Sequence, residues 1–336
     1  MRIGIIYDRV ADYAHIDGPS DRFAEFEPES TISAMKQAVK IAGHQPVDIG
    51  SPHNLLNRPE IDLAWNIAEG YGTRNREAWA PVLLEMHGIP FLGSDAATLS
   101  SSLDKHLTRL IAKSIDIPVA EGCSVSEVEE LRQYELTHFP YLLKPRYEGT
   151  AKGIRSSSIA YSADELQTKV SEMLHQYHQD VLVEKLLPGA EYTCSVYGDP
   201  LKVMPVIQRS VDRHTRLGVH ALSDHREIPD DDQLLPGQLD EDLEQILGQW
   251  SLALCREMNV RHFARIDFKL DDDGRPHLLE INPLPTFAVD SHFAVFSEME
   301  NVPYPEFLAS MLEELIPDAD ASTQTSREAF TNQPKR

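Results

Sequence analysis

His262-Phe-Ala-Arg-Ile-Asp-Phe-Lys-Leu-Asp-Asp-Asp-Gly-Arg-Pro-His-Leu-Leu-Glu-Ile-Asn282 is the stretch on which the reading of the chain turns. Asp273-Gly274 is a two-residue hairpin signal, because a type I′ turn needs positive φ at both central positions. Centring the turn there sets Asp267 opposite Glu280 and Arg265 opposite Asn282. Strand alternation puts those four on one face and Ile266, Phe268, Leu279 and Ile281 on the other. Opposed strand residues have Cβ atoms about 5 Å apart, and like charges there repel. Mg²⁺ relieves such repulsion, since it takes one or two carboxylates together with water and phosphate oxygens. Asn282 would add a neutral oxygen ligand and Arg265 a neighbouring cation. The alternative is an exposed hairpin face on which Arg265, Asp267 and Glu280 form a salt-bridged row.

Upstream, Pro140-Tyr-Leu-Leu-Lys144-Pro145 reads as a buried strand ending in a lysine. Glu148-Gly-Thr-Ala-Lys152-Gly153 follows, with glycines that let backbone N–H groups approach an anion and lysines as point charges. A surface turn would have a similar composition. Val181-Leu-Val-Glu184-Lys185-Leu-Leu187 is a strand that breaks at Pro188-Gly189, exposing backbone groups that can read a purine edge.

The remaining sequence places these segments. Residues 2–7, 47–49, 63–66 and 89–92 read as strands, with helices from about Ser30 to Ala42 and from Arg76 to His87. Gly43 and Gly88 stand where C′ glycines belong. This alternation implies a parallel sheet wrapped by helices. A helix from Leu103 carries Leu103, Leu107, Leu110 and Ile111 on one face. Helices are expected over 124–134, 162–176, 241–258 and 304–315, and strands over 139–144, 180–185, 191–197 and 201–207. The domains expected are 1–100, 101–187 and 188–316, with 317–336 a disordered polar tail.

With 31 Lys and Arg against 54 Asp and Glu, the net charge is −23. That argues against duplex nucleic acid and anionic lipid as partners. No apolar run is long enough for a membrane span. Cys123, Cys194 and Cys255 suggest neither a disulfide framework nor a CxxC metal site, so a cytoplasmic setting is expected.

In order, Leu103-Asp-Lys105, Leu142-Leu-Lys144-Pro with its glycine loop, Leu182-Val-Glu184-Lys185 with Glu191, and Arg265-Ile-Asp267 with Glu280-Ile-Asn282 resemble the ATP-grasp enzymes. Within them the sequence is most similar to the D-alanine–D-alanine ligases, over about residues 1–316. The resemblance implies an ATP-grasp fold: α/β lobes clasping ATP, preceded by a parallel α/β domain. It implies phosphorylation of a carboxylate to an acyl phosphate, attack by an amine, and release of ADP and phosphate. Lys105, Lys144 and Lys152 would serve the phosphates, Glu184, Lys185 and Leu187 the adenine, and Glu191 the ribose. Asp267, Glu280 and Asn282 would hold two Mg²⁺ ions, for which Mn²⁺ can substitute. Arg265, Thr150 and Glu29 would be catalytic, and Glu69, Arg209 and Ser291 would meet the substrate. Small amino acids are the expected substrates, and a homodimer through the first lobe is an expectation of the same kind.

The amino-acid half departs from the family pattern. Glu69 stands in place of a histidine, Thr150-Ala151 in place of two serines, and Thr286-Phe287 where a glycine is usual. The loop that carries a tyrosine over the substrate is not recognisable. In its place residues 209–226 hold four arginines and three histidines, either a solvated loop or a lid for an anionic substrate. The spacing of His214, His220 and His225 fits no standard metal set. A ligase joining other acids than D-Ala, a small-molecule kinase and a non-catalytic nucleotide-binding protein are the competing functions.

Overall fold

A computed structural model describes residues 1–18, 21–209, 211, 215–217 and 239–316. Arg213, His214, His220, His225 and Arg226 of the expected lid, and the tail 317–336, lie outside the described residues. Three sheets follow one another along the chain.

The first contains β1 (Arg2–Ile6), β2 (Gln45–Gly50), β3 (Leu63–Asn66) and β4 (Phe91–Leu92), with α1 (Glu29–Ile41) and α2 (Trp79–His87) between strands. All three pairings are parallel, in the order β2-β1-β3-β4. Gly88 closes α2 with φ of 63°, the left-handed C′ position that favours glycine.

Two helices lead out of this lobe, α3 (Ala96–Leu103) and α4 (Lys105–Ser114). Asp95 and Asp104 cap them, accepting from Thr98 N–H and Leu107 N–H. The leucine face expected of this segment is not the buried one: Leu107 is 38% and Leu110 50% exposed. Lys105, Thr108, Arg109 and Ala112 are buried instead. The apolar stripe misleads because two cations of this helix turn inward to carboxylates.

The second sheet contains β5 (Gly122–Val125), β6 (Tyr141–Pro145), β7 (Ile159–Ala160), then α5 (Ala163–Tyr177) and β8 (Val181–Lys185). Its order is β5-β8-β6-β7, all antiparallel. The expected helix 124–134 is replaced by β5 and a short 3₁₀ stretch, Val128–Gln133. Cys123 and Val125 are buried on alternate positions, a strand pattern, and Leu131 is the one buried residue of the 3₁₀ stretch.

The third sheet contains β9 (Glu191–Gly198), β10 (Lys202–Val203) and β11 (Ile207–Arg209), then α6 (Glu241–Glu257), β12 (His262–Leu270) and β13 (Pro276–Asn282). The order is β10-β9-β12-β13, with β11 also on β9. The single strand expected at 201–207 is therefore two, separated by a segment containing Pro205, which lacks a ladder donor. Finally α7 (His292–Met299) and α8 (304–316) return to the first lobe. Phe293, Phe296, Leu308 and Leu312 share one core with Ile3, Ile5, Met35 and Trp65. The last described helices thus share a single core with the first lobe. Among the described residues no helix is long and apolar enough to cross a membrane.

Candidate active site

The β12–β13 ladder sets Arg265 opposite Asn282 and Asp267 opposite Glu280, as the sequence implies. The turn does not follow the expectation. Asp271 N–H donates to Arg275 O and Gly274 N–H to Asp271 O, so the loop holds one more residue than a two-residue hairpin. A bulge past Asp267 restores the register, and Phe268 pairs with Leu278. Leu278 is therefore the core residue, 1% exposed, while Leu279 lines the cleft beside Glu280. One extra residue in the turn and one in the bulge offset each other.

On the cleft face β12 presents Arg265, Asp267 and Lys269, opposite Ser195, Thr193 and Glu191 of β9. Arg265 Nε lies 2.9 Å from Asp267 Oδ2, and its Nη2 3.3 Å from Glu280 Oε1. Thr193 Oγ1 donates to Asp267 Oδ1 at 2.8 Å. Lys105 Nζ is 3.9 Å from Glu280 Oε2 and also donates to Glu148 O. Burial pushes the Glu280 carboxyl up, but Lys105 and Arg265 outweigh it and hold it below its ordinary range. Asn282 Oδ1 accepts from Leu284 N–H at 2.9 Å. Two facing carboxylates and an amide oxygen, balanced here by Arg265 and Lys105, fit a magnesium ion that also binds phosphate oxygens.

The opposite wall comes from the second sheet. Lys144 Nζ lies 2.7 Å from Glu184 Oε2, and Arg109 bonds the other oxygen. Burial alone would raise the Glu184 carboxyl, yet Lys144 and Arg109 keep it low. Lys185 N–H donates to Glu121 O and Leu186 N–H to Pro140 O. Leu187, 5% exposed, lines the cleft, and its N–H has no acceptor among the described residues. A buried backbone donor without a partner suits an acceptor on a ligand's edge. Lys185 lines the cleft and lies 3.8 Å from Asp272.

The cleft between these walls has a volume of about 440 Å³. Besides the residues above it is lined by Glu25, Glu27, Thr150, Arg209, Thr286, Asp290 and Ser291. Arg209 pairs in register with Glu191 across β11 and β9. Among the described residues its buried Nε has no hydrogen-bond partner, and burial lowers its pKa. Ser291 stands at the N-cap position of α7, its hydroxyl 3.3 Å from Tyr304 OH and not bonded to the helix.

The glycine loop is clamped by the first lobe. Glu25 accepts from Gly149 N–H at 2.7 Å, Lys152 Nζ at 2.8 Å and Arg76 Nη2 at 2.6 Å. Asp21 accepts from Gly153 N–H at 3.1 Å. Thr150 and Ala151 have φ of 47° and 52°, and Gly153 has φ of 77°. A Cβ at Gly153 would sit 2.6 Å from Pro145 Cγ, so the position needs glycine twice over. Arg76 also reaches Glu69 at 3.4 Å and Glu77 at 3.6 Å. Burial pushes Glu69 well up and Glu77 up to about 7, while Arg76 and Lys152 overcome burial at Glu25 and hold it at about 2.

Most of the expected site residues therefore meet at this cleft or beside it. Lys152 is engaged with Glu25 and Glu148 rather than facing the cleft, and Glu69 lines a small neighbouring cavity with Lys105, Thr150 and Asn282. Glu29 is exposed at the start of α1 and outside the lining, where Glu25 and Glu27 stand instead. Sequence reasoning passed over Arg109, Thr193 and Lys269. Lys269 was available from alternation, two positions beyond Asp267, whereas Arg109 and Thr193 come from other elements and carry no local signal.

A family model described as D-ala D-ala ligase C-terminus matches residues 111–313. An uncharacterised protein of Sinorhizobium fredii, y4sG, is 24% identical over 256 residues, 75% of this chain and 74% of its own length. D-alanine–D-alanine ligase B of Clostridium perfringens is 24% identical over 245 residues, 72% of this chain and 78% of its own. The crystal structure of D-alanine–D-alanine ligase from Bacillus anthracis complexed with ATP superposes with a TM-score of 0.70 at 20% identity. It covers 96% of this chain and 99% of that one. With that fold, and with a family model matched over more than half of its length, the chain is an ATP-grasp protein and belongs to the D-Ala–D-Ala ligase family of ATP-dependent, C–N bond-forming enzymes.

Proposed function

We propose that the chain joins the carboxylate of a small amino acid or acyl acid to the amine of an amino acid through an acyl phosphate, releasing ADP and phosphate. The observation that carries this reading is one cleft with Arg265, Asp267 and Glu280 on one wall and Lys144, Glu184 and Leu187 on the other, with Asn282 in the small adjoining cavity that Glu280 also lines. A carboxylate is a poor electrophile, and phosphorylation gives it a leaving group. Lys105 and Lys144 neutralise phosphate charge. Arg265 steadies the oxygen that becomes negative as the amine attacks. Asp267, Glu280 and Asn282 would hold magnesium, two ions in our reading, which supplies Lewis-acid charge neutralisation between phosphates. Leu187 N–H would meet the adenine edge and Glu191 the ribose. The acceptor's ammonium would face Glu27 and Asp290.

D-Ala as sole substrate is expected to be poor. Glu69, Thr150-Ala151 and Thr286-Phe287 change several groups that a small zwitterion needs, and each unpaired buried polar group costs ~1–3 kcal/mol. Arg209 adds a cation that D-Ala is too small to use. The test is phosphate release against D- and L-amino acids and small acyl acids, singly and in pairs. An amine-dependent signal with an amide product supports the ligase. Phosphate transfer without an amine acceptor supports a kinase, and ATP binding with no turnover supports a non-catalytic protein. A D-Ala kcat/KM within about tenfold of the best substrate would make the departures neutral.

A further inference from the structure

Lys269 continues the polar row of β12 and is only 4% exposed, on the floor of the cleft. Its Nζ lies 3.4 Å from Glu191 Oε2 and donates to Arg216 O at 2.7 Å. Glu191 is nearly buried as well, and among the described residues no other donor lies within hydrogen-bond distance of its carboxylate. A carboxylate offers about four acceptor positions, so one long contact leaves it short of donors. A vicinal diol supplies two.

We propose that Lys269 is the positioning residue for Glu191, and that the pair makes the cleft select ribonucleotides over deoxyribonucleotides. This rests on the reading of the cleft as an ATP site. Lys269 fixes one carboxylate oxygen, which aims the other at the sugar hydroxyls. The β ladders place Glu191 between Lys269 and Arg209, and only Lys269 makes a described contact with it. The second bond of Lys269, to Arg216 O, adds a mechanical role. The next residue, Leu217, is 2% exposed and packs with Leu142, Ile159 and Leu186 from the opposite wall. One lysine therefore ties both walls together at the nucleotide end and keeps Glu191 at a fixed distance from them. A buried ammonium is costly unless its donors are engaged, and here the engaged donors are those that set the geometry.

Calorimetric titration of the full chain with ATP, 2′-deoxy-ATP and 3′-deoxy-ATP, with Mg²⁺ and without amino acids, reads this directly. Wild type should bind at least one deoxy analogue ~10-fold or more weakly than ATP, as losing a hydrogen bond to a charged group implies. In Lys269→Met that ratio should fall below ~3 while the deoxy analogues bind almost as before. Lys269→Arg should restore much of it, and Glu191→Gln should lose it with the lysine present. Thermal melts identify a variant that does not fold; if Lys269→Met is one, Lys269→Gln, which keeps a polar group but no charge, carries the test in its place with the same fall in the ratio expected. Wild-type ratios below ~3 would overturn the inference, as would Lys269→Met weakening all three nucleotides equally. Wild type binding no nucleotide would overturn the ATP reading as well, which separates the two failures.

Discussion

Lys144 and Glu184 show how a single buried pair can serve a ligand. The lysine is 6% exposed, and its 2.7 Å contact uses one of three N–H donors. Lys144→Ala should weaken ATP affinity by ~10-fold or more, because a charge-assisted contact of ~1.5–3 kcal/mol is lost. Binding of the amino-acid substrate should change less. Arg109 still pairs with Glu184, so the fold should persist. Unchanged nucleotide affinity by calorimetry would remove the phosphate role of Lys144. Across the cleft, Asp267→Asn and Glu280→Gln should each cut turnover by at least ~10²-fold and raise the Mg²⁺ concentration needed. Normal turnover of either variant at low Mg²⁺ would refute the metal reading. These residues were legible because alternation puts Arg265 with Asp267 on one face of β12 and Glu280 with Asn282 on one face of β13, and the bulge offsets the longer turn so that the two pairs share a face. Glu25 and Glu27 were not legible, since only tertiary folding carries residues 21–27 to the glycine loop and the cleft.

The glycine loop is held against the first lobe by Glu25 and Asp21. A methyl group at Gly149 would sit 2.7 Å from Glu25 Oε1. Gly149→Ala should force Glu25 away, release Lys152 and lower ATP affinity on the order of tenfold, given ~1.5–3 kcal/mol for a hydrogen bond to a charged group. Retained affinity would mean the clamp does not shape the nucleotide site. Elements with a single clear period were readable in advance: β1, α1, α2, α5, α6 and the β12–β13 hairpin. The misreadings share a physical cause. Within α4, Leu107 and Leu110 mark an exposed face, because Lys105 and Arg109 turn inward to the carboxylates of Glu280 and Glu184. At 124–134 a strand and a 3₁₀ stretch share a segment too short to show either period. α3 and α7 have eight residues each, and their main marks are capping-type residues, Asp95 and Ser291.

At the scale of the molecule, Arg76 and Lys152 gather Glu25, Glu69, Glu77 and Glu148 where the first lobe meets the glycine loop. Four carboxylates against two cations cannot all be charged in a buried site, so a proton is retained. The signs of the two main titrations are opposite. Glu25 is held at about 2, so its contribution is present above its ordinary pKa and is lost as pH falls toward 2. Glu77 is raised to about 7, so its contribution is present at low pH and is lost as pH rises from its ordinary value through 7. Glu77→Gln should therefore flatten the decline in stability between about pH 5 and 8, by up to ~3 kcal/mol, as urea unfolding can measure. Parallel wild-type and variant curves would show that Glu77 carries no such proton. Arg76→Met should cost about 3–5 kcal/mol, because it leaves buried carboxylates unpaired, and a loss under 1 kcal/mol would contradict the brace. The central claim, that this cleft activates a carboxylate by phosphorylation, is tested most directly by isotope transfer. With the acid substrate labelled by ¹⁸O in its carboxylate, each turnover should deliver one ¹⁸O into the released phosphate. Unlabelled phosphate, or label carried into AMP, would contradict it.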